Sequence, residues 1–501
     1  ELLKQFPKLF ETKTINGRTL DPKDVIVSLN ELLTHGVPEA LNARRELLES
    51  RAPVRERYAF AKWDDKFEDG DGQVWTFRQI VQGMIDNFLG KESKFSWRLN
   101  DEVAIPDDIH PLKRPGLQVT GPSNPLDMAI NQLNALLSAR MPDYEDASAP
   151  WFKRKGAPAD EPVGVFAGME NERALLAGEW DNKTYRVIKK GIERVYRLIR
   201  PRAERPTTIQ RVPGIHLKDD HVTINGKPVS AMALSLAFHT LNTHGSLTKN
   251  GSGNYYYVPK TPSAPEALII EKAMRQLENL LDLQLGEIKI EMLYEEANAG
   301  RFMPAIMWVW RHRLIGSNVG RWDYIGSLIE MWKDEVVWPD PQGVNMNSPN
   351  MIAYQRYNAL LNVMAGMKNG ELTNGAPIGG MAAVMLYSKE DPYDRWKNNA
   401  KALRGIELDK TRERLLGLIF VPDDASATDL QVTLEDVLSG KVRGKIYDSY
   451  RQSWVATTDA DYVAAGNGPL RRLLAELQAS LDAPVEWEVI DGKNVAPKVG
   501  S

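Results

Sequence analysis

The residues with most chemistry to offer are charged groups at the ends of short apolar runs. SNVGRWDYIGS (317–327) sets Arg321, Trp322 and Asp323 side by side after an apolar segment. Such a cluster is either a capped turn with a surface ion pair, or a carboxylate aimed at a metal beside backbone amides aimed at an anion. Other runs end in a similar way. RMPDYED brings Asp143, Glu145 and Asp146; TTIQRV brings Arg211; NYYYVPK brings Lys260; and the run closing on YEE brings Glu295 and Glu296. Each alone is explained by a cap or a solvated ion pair. Together they exceed what a purely structural scaffold needs. The chain has no cysteine and no regular histidine pair, so an oxygen-rich set of this kind favours a hard cation. Mg²⁺ suits it, because it takes one or two carboxylates along with water and substrate oxygens. Glu295 and Asp323 are the best pair, and an arginine such as Arg211 on the same rim would stabilise negative charge developing on an oxygen.

The histidines offer less. His216 and His221 flank a segment leading to Asn225-Gly226, a dipeptide that predicts a tight hairpin, and structural or solvated roles are expected for both. His239 and His244 share a helix end and are also read as structural. GAPIGGMAA (375–383) fits neither dinucleotide-binding nor P-loop spacing, and its glycines suit tight packing between strand and loop.

Acid and base groups at strand ends imply a scaffold that gathers strand ends. From 116 onward, short apolar runs alternate with longer helical patterns. GLQVTG precedes PLDMAINQLNALLSA (125–139), TTIQRV precedes AMALSLAFHTLNTHG (231–245), and NYYYVPK precedes APEALIIEKAMRQLENLLDL (264–283). EIKIEMLY (287–294) then precedes AGRFMPAIMWVWRHR (299–313). This rhythm predicts an α/β fold with a parallel sheet, closed as a (β/α)₈ TIM barrel over 116–400; an open doubly wound sheet is the alternative. Residues 1–115 mix short helical patterns with charged turns. They include an amphipathic helix over 39–60 and end at the boundary HPLKRPG (110–116). Residues 401–501 read as a helical domain, mostly on the strength of 445–481.

Composition narrows the function classes. A formal net charge of −4 over 501 residues gives no basic field to attract nucleic acid or anionic lipid. No apolar run approaches the roughly 20 residues that cross a bilayer. ELLKQFPKLFETK lacks the basic-then-apolar order of a signal peptide, and a cytoplasmic setting is expected.

The order of motifs resembles the malate synthases, most nearly their shorter isoform, over roughly 40–400. LQVTGPSNPLDMAINQLNALLSARMPDYEDASAPWF (117–152) is similar to the family stretch with a TGP turn and a DFEDA motif. QRVPGIHLKDDHVTINGKPVS (210–230) is similar to its RPRGWHL segment, and NYYYVPKTPSAPEA (254–267) to its YLPK strand. IKIEMLYEEANAG (288–300) stands where the family has VLIET, while SNVGRWDYI (317–325) and APIGGMAA (376–383) match almost letter for letter. The resemblance implies a TIM barrel with an N-terminal helical clasp and a C-terminal helical plug. It also implies a Mg²⁺-dependent condensation of acetyl-CoA with glyoxylate. Carried over by position, Glu295 and Asp323 are similar to the metal ligands, and Arg211 to the arginine that stabilises the reacting oxyanion. The backbone at Gly320, Arg321 and Trp322 resembles the segment holding the glyoxylate carboxylate. Asp143, Glu145, Asp146 and Lys260 stand around them.

The chain departs from the family in the plug. After the turn in GNGPLRRLLAELQASL no aspartate occupies the place of the family's catalytic base, and Glu476 is the nearest carboxylate. The acyl-CoA loop survives only as GLIFVPDD (417–424), and RPRGW has become RVPGI. The implied small-molecule partners are therefore a 2-oxo acid and, less firmly, an acyl-CoA. Other outcomes are an aldol or Claisen lyase, a thioesterase, a condensation with a non-CoA partner, or a non-catalytic scaffold.

Overall fold

The computed structural model describes residues 2–35, 61–110, 113, 118–135, 137–148, 164–189, 192–332, 344, 348–368, 371–375 and 377–379. Beyond these it describes strands at 419–422, 444–448, 453–456, 487–490 and 493–497. The helix expected over 39–60 lies outside the described residues.

The parallel strands are numbered as barrel staves. β1 (Gln118–Gly121) pairs with β2 (Ala139–Pro142), which pairs with the first half of β3 (Thr207–Thr208, then Gln210–Arg211). The second half of β3 pairs with β4 (Tyr255–Val258), β4 with β5 (Lys289–Tyr294), and β6 (Leu314–Val319) follows in the same sheet. A parallel bridge between Asp143 and Arg211 joins the two sheets, and another sets Ile378 beside Asn318. Between the staves run α1 (Leu126–Asn134), α2 (Val165–Leu176), α3 (Ala231–Lys249), α4 (Ala264–Leu281) and α5 (Ala299–Val309). α6 (Arg321–Trp332) follows β6. Successive parallel staves with intervening helices are the β/α barrel arrangement expected from the sequence. α1 stops at Asn134, short of the expected 139, because Ala139 already belongs to β2.

Period-two alternation decides what fills the barrel. Ala139, Met141, Ile209, Tyr255, Tyr257, Leu293 and Ile315 form one buried cluster, joined by Ile105 and Ile109 from the segment before β1. That segment forms the floor. The Asp108 carboxylate accepts hydrogen bonds from the Tyr255 hydroxyl (2.8 Å) and the Ser252 hydroxyl (2.7 Å). The Lys289 ammonium donates to Asn100 Oδ1 (2.7 Å) and to the Val103 carbonyl (2.8 Å). On the outer side, Arg313 is fully buried and reaches Glu271 and Glu278 at 2.6 and 2.7 Å, tying β6 to α4. Arg140 on β2 is clamped in the same way by Glu172 of α2.

The N-terminal region is more than helical. Lys13–Ile15 pairs with Arg18–Leu20, and Lys66–Glu68 with Val74–Thr76, each antiparallel. The expected hairpin near His221 is present, with Asn225 and Gly226 both at positive φ between its strands. The chain divides into two compact units. Residues 1–317, 322–338 and 364–376 form the first, and 318–321, 339–363 and 377–501 the second. In the second, Ile419–Pro422, Gly444–Asp448 and Ser453–Ala456 form an antiparallel sheet, and Trp487–Ile490 pairs with Lys493–Pro497. The start of the stretch expected to be helical, 445–481, is therefore strand. Its alternating IYD and WVA residues suit a pleated surface better than a helix. The rest of that stretch lies outside the described residues.

One interior residue carries a charge question. Glu291 on β5 is fully buried; its Oε2 accepts from Gln118 Nε2 at 3.2 Å, and its Oε1 has no hydrogen-bond partner among the described residues. Burial pushes its carboxyl up to about 7, with the Gln118 bond acting in the opposite direction. The folded chain therefore holds a proton that the unfolded chain releases above the ordinary carboxylate value. Stability is lost as pH rises from about 4.5 to 7 and stays lost above it, by about 3 kcal/mol. Glu291→Gln should accordingly raise the midpoint of denaturant unfolding at pH 8 and leave it nearly unchanged at pH 4.5. Equal shifts at both pH values would show that ionisation is not the cause.

Candidate functional site

Residues at or just past the ends of five successive staves, β2 to β6, carry the charged groups of the rim. Glu295 comes directly after β5. Its alternation with Leu293, Glu291 and Lys289 shows that one face of the strand carries all four inward. Its side chain is 2% exposed. Lys260, two residues past β4, adopts a left-handed backbone with φ of 49°, and its own N–H donates to Glu295 Oε1 at 3.0 Å. Its ammonium lies 2.9 Å from Asp323 Oδ2 and 3.5 Å from Glu295 Oε1. Asp323 sits in the first turn of α6 and is half-exposed.

The electrostatics of this trio follow from burial. Desolvation pushes the Glu295 carboxyl up to about 9, helped by a hydrogen bond and repulsion from Asp323; the Lys260 charge opposes the shift. Asp323 is held below its ordinary value, first by the hydrogen bond from Glu295 and then by Lys260. Two carboxyls and one cation thus share a proton in this arrangement. The donor set is oxygen only, and without that proton it falls one positive charge short of neutralising two carboxylates. Such a set fits a hard divalent cation, whose remaining positions water and substrate oxygens would fill. Among the described residues, no group of three or more His, Cys, Asp or Glu side chains is arranged around a metal position, so the candidate is this pair alone.

Beside it, Arg211 ends β3 inside a cage of acids. Its guanidinium donates to Asp143 Oδ2 at 3.2 Å, Glu145 Oε2 at 2.7 Å and Asp146 Oδ2 at 2.6 Å, and it lies 5.8 Å from the centre of the Tyr257 ring. Asp143 is itself rigid, because its Oδ1 accepts the N–H groups of Glu145 and Asp146 at 2.8 and 3.0 Å. Glu145 also accepts the Gly214 N–H at 3.2 Å. Burial raises the Glu145 carboxyl against the pull of Arg211 and Lys260. Arg211 is buried, and its Nε finds no partner among the described residues. A donor held this way, desolvated and with one N–H unused, is suited to an incoming oxyanion.

The structure brings together seven of the residues expected from the sequence: Asp143, Glu145, Asp146, Arg211, Lys260, Glu295 and Asp323. Lys260 is not a peripheral residue, because it lies directly on both candidate ligands. The expected carboxylate cradle falls differently. Gly320 and Arg321 belong to the second unit, and Trp322 to the first. The Gly320 N–H donates to the Tyr354 hydroxyl at 2.9 Å, so that amide is already engaged. Trp322 is 53% exposed. Glu476 lies outside the described residues. The sequence reading missed Glu291 and Tyr257. The alternation of IKIEMLYEE pointed to the first, while the second is an ordinary core aromatic until Arg211 lies beside it.

A β/α barrel with an acidic rim that fits a divalent cation is the class defined by these features. The profile "Malate synthase, TIM barrel domain" matches residues 207–456, and the chain belongs to the malate synthase family. It is 28% identical to malate synthase A of Escherichia coli over 392 residues, covering 77% of this chain and 62% of that protein. It is 29% identical over 315 residues to a glyoxysomal malate synthase of Candida tropicalis, covering 61% of this chain and 52% of that one. With a malate synthase of Streptomyces clavuligerus the identity is 28%, over 72% of this chain and 62% of the relative. The chain thus spans less than two thirds of the length of these relatives.

The acid cage makes Arg211 structural as well as chemical. Arg211→Ala should destabilise the protein by about 3–5 kcal/mol at pH 8, because it strands a buried carboxylate. The loss should shrink as pH falls and Glu145 takes up a proton, a trend that urea unfolding followed across pH would reveal. A pH-independent loss would mean that packing, not charge, is what Arg211 supplies.

Proposed function

We propose that this chain is a Mg²⁺-dependent enzyme that makes a carbon–carbon bond at a 2-oxo acid. In its most specific form, it condenses acetyl-CoA with glyoxylate and hydrolyses the thioester to release malate. The observation that carries this reading is the Glu295–Asp323 pair, held on successive loops of one rim and short of one positive charge. Membership of the malate synthase family supports the same chemistry.

Glu295 and Asp323 would hold the cation, which when bound supplies a Lewis acid to polarise the carbonyl of the 2-oxo acid. The remaining work falls to the chain. Arg211 offers its unused Nε–H to charge developing on the enolate or the reacting oxyanion, in a buried setting where such a bond is strong. Asp143, Glu145 and Asp146 fix the guanidinium plane so that no reorganisation is needed as the charge appears. The backbone at Arg321 and Trp322 is proposed to receive the acceptor's carboxylate, at the start of a helix whose first amides favour an anion, while the Gly320 amide stays with Tyr354. Division into a clasp (1–115), a barrel (116–400) and a C-terminal domain (401–501) belongs to the same proposal. So does a cytoplasmic setting, with which the cysteine-free chain is compatible; among the described residues no helix is long and apolar enough to cross a membrane.

A second reading is favoured by one specific feature, the lack of an aspartate in GNGPLRRLLAELQASL. Without that base, the same rim would serve a lyase, a thioesterase or a condensation with a nucleophile other than acetyl-CoA. Glu476 is the candidate replacement base under the first reading.

Incubation with Mg²⁺, glyoxylate and acetyl-CoA should release free thiol at a rate dependent on all three. Glu295→Gln, Asp323→Asn and Arg211→Lys should each lower that rate by about a hundredfold or more. No thiol release at high protein concentration, together with Mg²⁺-dependent thermal stabilisation by a 2-oxo acid, would favour the second reading. Absence of both would leave the rim without a catalytic role.

A further inference from the structure

We propose that Lys260 is a built-in substitute for the divalent cation: its ammonium holds the Glu295–Asp323 pair together while the cation is absent and leaves the pair when the cation binds. The proposal rests on the reading of Glu295 and Asp323 as cation ligands.

The argument begins with position. The ammonium is 2.9 Å from Asp323 Oδ2 and 3.5 Å from Glu295 Oε1, and so takes up the contacts a shared cation would make. An ammonium and a divalent cation cannot share two carboxylates, because like charges a few ångströms apart repel strongly in a partly buried setting. One of them must leave. The backbone of Lys260 is well fixed: its φ of 49° is unusual for a non-glycine residue, and its N–H is bonded to Glu295. The side chain beyond it is a flexible four-carbon stem ending in a point charge, which can redirect without moving the loop.

Lys260 is a positioning residue in this scheme, acting through Glu295 and Asp323: it keeps the two carboxylates together on the rim until the cation arrives, and then yields them.

The test uses the full chain and Mn²⁺ as probe, with affinity read by calorimetry or by the loss of free-ion EPR signal. Lys260→Met should bind Mn²⁺ about tenfold more tightly than the parent, since the competing charge is gone. The metal-free variant should melt lower than the parent, and the gap should close at saturating Mn²⁺. Lys260→Arg, which keeps the charge, should return affinity toward the parent value; Lys260→Gln stands in for Met if that variant fails to fold. Unchanged or weaker binding by both neutral variants overturns the substitute role. Asp323→Asn separates the two levels. If it abolishes Mn²⁺ binding while Lys260→Met has no effect, only this inference fails; if it binds like the parent, the metal-site reading fails with it.

Discussion

The rim is organised around the cost of placing several carboxylates in a space that water barely reaches. Glu145, Glu295 and Asp143 have buried side chains, and an isolated ionised carboxylate in such a setting is strongly disfavoured. Each is therefore given a cation, a proton or backbone donors. Arg211 answers the Asp143–Glu145–Asp146 group, and Lys260 answers Glu295 and Asp323, at the ends of neighbouring staves. The barrel makes this possible by delivering side chains from consecutive strands to one end, while its interior is packed shut by Met141, Ile209, Tyr257 and Leu293.

The same physics operates away from the rim with a different outcome. Arg313 with Glu271 and Glu278, and Arg140 with Glu172, are fully buried and fully answered by geometry, so they fasten helices to staves and have nothing left to offer a ligand. Arg211 differs in one N–H: its Nε has no partner among the described residues. A satisfied ion cluster is architecture. An unsatisfied one is where chemistry can be accommodated.

Much of this was legible in the residue order. Runs such as YYYV and KIEMLY announce staves through β-branched and aromatic content, and the acids that follow them announce the rim. Glu295, Asp323 and Arg211 were readable for that reason. Glu291 was not read, because within IKIEMLYEE it looks like the polar partner in an alternation, when the alternation in fact turns it inward. The intimacy of Lys260 with Glu295 depends on one backbone φ and on pairing between neighbouring staves, which no local pattern encodes. The bond from Gly320 to Tyr354 joins residues 34 apart, and it altered the expected cradle. At the opening of the 445–481 stretch, the short alternations IYD and WVA favour a strand, but they are brief beside the helical spacing of the residues that follow. Only the pairing of Ile446 with Val455 shows which form it takes.

The floor of the barrel has a consequence for how the chain can be divided. Asn100, Val103, Ile105, Asp108 and Ile109 all lie before the proline-rich segment at 110–116 that reads as a domain boundary, yet they plug the staves and receive the buried ammonium of Lys289. A fragment cut at that segment would keep every group of the rim and lose the stopper beneath them. Lys289 would be left with a bare charge facing an open well. A cut made to recombine or truncate this protein therefore keeps the floor with its staves only if it falls upstream of Leu99.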